Sequence, residues 1–243
     1  AFDVTDKSQR VLLTETSDTW VNLHDDLYFL KDTSQFIWAS EKDGFKHLYL
    51  YDNKGNLVKQ LTKGDWVVDS VKAIDTKSQR LFFSGRKDTP LESHVYSVPL
   101  TGGDIDRVTE LGAYHSATFS KDASIFIDRF STINSPPQVS LNDATGKRIT
   151  WLEENRVEKG HPLYAYKESW TAPEFGEITT EDGATLQYRL FKPESAIQHP
   201  QKKHPVIVYL YGGPHAQVVT NSWAGNRGLL MQHWVDKGYV VFT

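Results

Sequence analysis

Tyr211 stands last on an apolar run, Val206 to Tyr211, and is followed at once by Gly212, Gly213 and Pro214. A phenol at a strand end can donate a hydrogen bond to charge developing on a substrate oxygen. A glycine pair beside it lets the backbone approach the same atom closely. Strand alternation puts Ile207, Tyr209 and Tyr211 on one face, and Val206, Val208 and Leu210 on the other. The competing reading makes Tyr211 a core aromatic and the glycines a plain turn, and buried aromatics outnumber phenol donors. His215 and Gln217, polar residues just beyond the turn, would border whatever Tyr211 faces. A second polar cluster is "WVNLHDDL", where Trp20, Asn22, His24, Asp25 and Asp26 interrupt a repeat. A lone histidine beside acids, as His24 is beside Asp25, reads as a hydrogen-bonded turn residue, and a metal there would need further ligands at defined geometry. Glu153-Glu154 reads as a solvated surface pair.

Other chemistries lack their signatures. There is no G-x-S-x-G, no G-x-G-x-x-G after a strand, no Walker loop and no H-E-x-x-H, so a dinucleotide, ATP or zinc enzyme has no support. The 243 residues carry a net charge of −4, which argues against nucleic acid or an anionic membrane surface as partner. With no cysteine, disulfides, thiolate metal sites and a cysteine nucleophile are excluded, while the compartment stays open. No apolar run approaches the roughly 18 residues of a spanning helix. The start, "AFDVTDKSQR", lacks the regions of a signal peptide. The end, "GYVVFT", falls in what reads as a buried strand, so an excised fragment is expected.

The elements that must position these residues come in two grammars. In the first, Leu13-Thr14-Glu15, Leu61-Thr62-Lys63 and Val108-Thr109-Glu110 recur at intervals of 48 and 47 residues. Phe36-Ile37-Trp38, Leu81-Phe82-Phe83 and Ile125-Phe126-Ile127 recur at 45 and 44. His47-Leu48-Tyr49-Leu50 and His94-Val95-Tyr96-Ser97 lie 47 apart, with Gln138-Val139-Ser140-Leu141 as a fainter third copy. Each leads to a turn at Asn53-Lys54-Gly55, Thr101-Gly102-Gly103 or Thr145-Gly146. Short β-branched and aromatic segments between Asp, Gly, Ser and Lys clusters predict strands and tight turns. A four-strand unit every ~45 residues is the repeat of a β-propeller blade. A β-sandwich with coincidental spacing is the rival. About three blades' worth of strands is present, and a closed ring needs at least about four, so a slice of a larger ring is expected.

The second grammar follows "NRVEKGHPLYAYKESWTAPEFG", which breaks the repeat. The expected division is residues 1–165, the C-terminal part of a propeller, and 166–243, the start of an α/β domain. A hairpin is predicted from Ile178–Thr180 through Asp182-Gly183 to Leu186–Phe191. After a polar loop comes the 206–211 strand, whose continuous hydrophobicity predicts burial on both faces. Trp223, Arg227, Leu230 and Trp234 predict one helical face, with Asn221 or Ser222 as cap and Gly238 as stop. "YVVFT" then begins another strand, completing a βαβ unit.

"YLYGGPHAQ", "EDGATLQYRLFKP" and "HPVIVY" resemble the start of the catalytic domain in the prolyl oligopeptidase family of serine peptidases. "WVNLHDDLYFL" and "EKDGFKHLYLYD" resemble late propeller blades of its dipeptidyl peptidase IV branch. The resemblance runs over nearly the whole chain, in order. It implies the last portion of an eight-bladed propeller followed by the beginning of an α/β-hydrolase domain. The implied activity is release of Xaa-Pro or Xaa-Ala dipeptides from peptides with a free N-terminus, without cofactor or metal. Tyr211 matches the family's oxyanion tyrosine. His24, Asp25, Gly212, His215 and Gln217 are carried over as residues around the substrate cavity. The family's Ser, Asp and His come later than residue 243, so the chain alone is expected to be inactive. Homodimerisation of a full-length parent is left open, as is a periplasmic or secreted location. An oligopeptidase or acylaminoacyl peptidase branch, or a non-catalytic propeller module, are the alternatives.

Overall fold

The computed structural model describes residues 1–2, 4–31, 33–213 and 216–243. The sequence repeat becomes three sheets of four strands, in each of which chain order is spatial order. The first holds β1 (Leu27–Phe29), β2 (Gln35–Ser40), β3 (His47–Asp52) and β4 (Leu57–Gln60). The second holds β5 (Val68–Asp75), β6 (Arg80–Gly85), β7 (His94–Pro99) and β8 (Asp106–Arg107). The third holds β9 (Tyr114–Phe119), β10 (Ile125–Thr132), β11 (Ser135–Asp143) and β12 (Arg148–Glu153). The "FIW", "LFF" and "IFI" triplets fall on the second strand of each sheet, and the His47, His94 and Gln138 copies on the third. Successive four-stranded meanders of this kind are propeller blades.

Two compact units are distinguished: residues 1–110, 116–128 and 141–149 form one, and 111–115, 129–140 and 150–243 the other. In the first unit, Leu81 and Phe83 on β6 pack with Ile37, Leu48, Val71, Tyr96 and Val98. Phe82, between them, packs with Val95, Ala117, Ala123 and Phe126. Both faces of β6 are therefore covered, which is why its sequence shows no alternation.

Two repeat landmarks turn out to bond each other. His47 Nδ1 lies 3.0 Å from Thr62 Oγ1, which also accepts the Leu48 N–H at 2.9 Å. His94 and Thr109 do the same at 3.1 Å, with the Val95 N–H at 3.1 Å. His47 Nε2 lies 2.8 Å from the Gly64 carbonyl, an obligate acceptor, so Nε2 carries the proton and Nδ1 accepts from the threonine hydroxyl. All four side chains are buried. The turns repeat as well: Asp52 accepts the Lys54 and Asn56 N–H groups, and Asp143 those of Thr145 and Lys147. Within these turns Gly55 and Gly146 have φ of +89° and +91°, and a Cβ would meet the Leu12 or Val108 carbonyl oxygen at 2.2 or 2.0 Å. Only glycine fits either place.

In the second unit, β13 (Glu174–Thr179) and β14 (Thr185–Phe191) form the predicted hairpin. Thr180 donates to the Asp182 carboxylate within its turn, and Gly183 has φ +86°. β15 (Val206–Val208) runs parallel to β16 (Val240–Phe242), joined through α2 (Gly225–Asp236). The sheet order is β13-β14-β16-β15, with β14 and β16 antiparallel. The expected βαβ unit is present. The polar loop before β15 contains one short helix, α1 (Glu194–Gln198).

Three local expectations are corrected. The helix begins at Gly225 with Ala224 as N-cap and no side-chain cap. Asn221 instead accepts the Ile133 N–H at 3.1 Å and donates to the Gly112 carbonyl at 3.1 Å, while Ser222 bonds Thr220. The buried helix face is Gly228, Met231, Gln232 and Val235 rather than the Trp223–Arg227–Leu230–Trp234 row. Large residues dominate a periodicity count, but the sheet admits the narrower stripe; Leu230 is 46% exposed, and Trp223 stacks on Trp170 at 5.1 Å before the helix starts. β15 is an edge strand, so its apolar run is not buried on both faces: Val206 and Val208 are each 57% exposed. The Gly238 stop is found, with φ +88° and its N–H bonded to the Val235 carbonyl at 2.9 Å.

Among the described residues, no helix is long and apolar enough to cross a membrane, and no group of three or more acidic or histidine side chains is placed to hold a metal ion.

Candidate functional site

Tyr211 sits just past β15 and is 51% exposed. Alternation along the segment is as expected, with Ile207 and Tyr209 partly covered and Val206, Val208 and Leu210 exposed. The strand hydrogen bonding extends to Tyr209, whose N–H reaches the Phe242 carbonyl at 2.8 Å. Beyond it the backbone turns, and the Tyr211 ring folds back over Gly213. A Cβ at 213 would lie 2.5 Å from the phenol oxygen and 2.7 Å from Cζ. A side chain at 213 would have to push the phenol aside, so glycine there leaves the tyrosine this position. The result is a phenol held against its own backbone, half open to solvent, at the carboxyl end of a parallel strand. In open α/β sheets that end is where ligands bind. Gly212 is exposed, with open space around its Cα. Gln217 is exposed, and its side-chain amide donates to the Val219 carbonyl at 3.0 Å. His215 lies outside the described residues.

His24 and Asp25 belong to the other unit. His24 lies 4.5 Å from the Trp38 ring and accepts the Asp26 N–H on Nδ1 at 3.2 Å. It therefore presents Nε2 as its donor. Together with Trp20, Asn22, Trp38, Glu41 and Lys42 it lines a cleft of about 500 Å³. Trp38 and Ser40 both donate to the Glu15 carboxylate, at 3.0 and 2.9 Å, and Asn22 donates to Glu41 at 2.9 and 3.1 Å. Asp25 is exposed next to His24. Its neighbour Asp26 is buried, with Lys46 Nζ at 2.6 Å and the Val71 N–H at 3.1 Å. In the "HDD" triplet, one acid ties the residue before β1 to Lys46, just before β3, and to Val71 on β5, and the other faces water. Sequence alone does not say which, because the distinction depends on Lys46 folding onto it. Glu153 and Glu154 serve local contacts, to the Asn155 N–H at 2.9 Å and to Arg156 at 2.5 Å.

The chain is similar to known proteins along its length. The model of the dipeptidyl peptidase IV N-terminal region matches residues 1–137. Dipeptidyl peptidase 8 of Mus musculus is 30% identical over 270 aligned positions, covering 95% of this chain and 30% of that protein. Its Homo sapiens counterpart is 31% identical, covering 95% and 29%. Among solved structures, dipeptidyl peptidase 4 of Porphyromonas gingivalis superposes with a TM-score of 0.77 at 28% identity, over 89% of this chain and 29% of that one. The chain thus spans about a third of the length of the curated relatives it matches. On the strength of the matched region, the repeated sheets and these likenesses, the chain belongs to the dipeptidyl peptidase family of the prolyl oligopeptidase superfamily.

Proposed function

We propose that this chain is a segment of a serine exopeptidase that removes Xaa-Pro or Xaa-Ala dipeptides from peptides with a free N-terminus. In this reading residues 1–165 close a propeller, and 166–243 open an α/β-hydrolase domain whose nucleophile, acid and base lie in further polypeptide. A serine oxygen adds to the scissile carbonyl, the C–O bond forms, and negative charge moves onto the carbonyl oxygen. The Tyr211 phenol donates its hydrogen bond to that oxyanion. Collapse of the intermediate expels the shortened peptide as its amine and leaves the dipeptide as an ester, which water hydrolyses. Gly212 and Gln217 are assigned to the surroundings of the phenol, and His24, Asp25 and His215 to substrate binding, as the family resemblance implies. The observation that carries the reading is the Tyr211 ring held over Gly213 at the carboxyl end of β15. Members of the family named dipeptidyl peptidases support the substrate class.

The test is Tyr211→Phe in the parent peptidase. Loss of one oxyanion donor lowers kcat by about 10²-fold or more, with KM little changed. An unaltered kcat would return Tyr211 to a packing role. The 243-residue chain alone turns over no Ala-Pro chromogenic substrate, and measurable turnover by it would defeat the reading.

A further inference from the structure

The second unit contains a polar arrangement that peptide hydrolysis does not use. Arg189, on β14, is 2% exposed and heads the fully buried side chains by size. Its guanidinium lies 5.6 Å from the Phe191 ring centroid, and Nη2 is 3.7 Å from Met231 Sδ, a weak acceptor. Its Nε has no hydrogen-bond partner among the described residues. Directly across the sheet stands Thr243: the two residues exchange both backbone hydrogen bonds, at 2.9 and 2.8 Å. Residues so paired point their side chains to the same face. Thr243 is 4% exposed, and its Oγ1 likewise has no partner among the described residues. The nearby charge is another cation, Arg227 on α2; burial, then repulsion by Arg227, pushes Arg189 down to about 10. Arg189 is still charged at neutral pH, and no carboxylate pairs with either guanidinium among the described residues. A buried cation without a counter-charge is among the costliest arrangements a fold can hold.

We propose that Arg189 and Thr243 are the donor half of a buried ion-pair site, completed by a carboxylate side chain from polypeptide of the parent outside these 243 residues. This rests on the reading of the chain as a segment of a longer peptidase. A guanidinium offers a planar fork of N–H donors suited to a carboxylate, and the threonine hydroxyl adds a third donor to the same anion. Phe191, Met231, Val235 and Val241 wall the site with apolar surface. At 2% and 4% exposure the donors are closed to solvent, so the anion enters with folding chain rather than from solution.

The sign of a stability change tests this. Arg189→Met puts an apolar side chain of similar length into the site, and thermal unfolding is followed in two contexts. In the 243-residue chain the substitution removes an unpaired buried cation, and the midpoint rises by a few degrees. In the parent it strands a buried carboxylate, and the midpoint falls by about 5 °C or more. Thr243→Val follows the same signs with smaller size. Should Arg189→Met prevent folding of the parent, Arg189→Lys, which keeps the charge, restores the fold. A rise in both contexts overturns the proposal, as does a fall in both, which would place the partner within these residues. A fall in the parent that depends on added acetate or phosphate assigns a dissolved anion and also overturns it. The midpoint is read without substrate, so the outcome is separate from any failure of the peptidase reading, which would show only in turnover.

Discussion

The β5–β8 sheet and the β13–β16 sheet each have four strands, yet one is finished and the other is not. In the first, Leu81 and Phe83 face one cluster and Phe82 another, so β6 is covered on both sides. Its buried polar groups are tied, with Thr109 serving both His94 and the Val95 N–H. The second packs α2 on one face through Phe191, Met231, Val235 and Val241. On β15 and just past it, Val206, Val208 and Leu210 remain 57%, 57% and 69% exposed, and Arg189 and Thr243 hold buried polar atoms without partners among the described residues. An apolar strand exposed on one face and buried donors without acceptors are two signs of the same thing: the first sheet meets its physical requirements locally, and the second needs atoms from elsewhere.

That contrast can be broken by substitution. The largest effect is expected at Phe83, fully buried and stacked near Trp66 and Tyr96. Phe83→Ala should cost about 3–5 kcal/mol in denaturant unfolding; a cost below about 1 kcal/mol would mean that the site collapses and that the sheet is less finished than it looks. Next comes Thr109→Val, which preserves shape but strips the acceptor from the Val95 N–H and the donor from His94. A loss of about 1–3 kcal/mol follows from leaving buried groups unpaired, and Thr109→Ser should recover much of it. The smallest effect is expected at Val208→Thr on the bare face of β15, within about 0.5 kcal/mol in the 243-residue chain. A large loss there would show that the face is covered after all.

Much of the first grammar could be read directly. Three landmark sets in register predicted four-strand units: the aromatic triplets fell on the second strand of each sheet and the His47, His94 and Gln138 copies on the third, while Leu61-Thr62 and Val108-Thr109 follow a fourth strand and Leu13-Thr14 precedes β1. The hairpin at Asp182-Gly183 and the Gly238 stop were legible because glycine and aspartate carry local conformational preferences that tertiary packing had no reason to override. The helix face was misread by one position: Trp223 and Trp234 outweigh Gly228 in any count of hydrophobicity, yet a helix lies closest to a sheet where its side chains are smallest. The cap was misread because Asn221 found better partners in Ile133 and Gly112, far away in sequence. For the candidate site, the sequence pointed to Tyr211 and the glycines, but not to Gly213 as the residue whose missing side chain makes room for the phenol.

What the amino-acid order determined alone is the set of short-range decisions: which segments are strands, where turns need glycine, and that the grammar changes after the third repeat. Those follow from backbone sterics and periodicity, which act over a few residues. Tertiary structure alone decided which of two adjacent acids, Asp25 or Asp26, is buried against Lys46, and which face of α2 meets the sheet. It also left Arg189 charged and enclosed without a counter-ion among the described residues. Burial and charge pairing depend on residues dozens of positions apart, and only the folded chain brings those together.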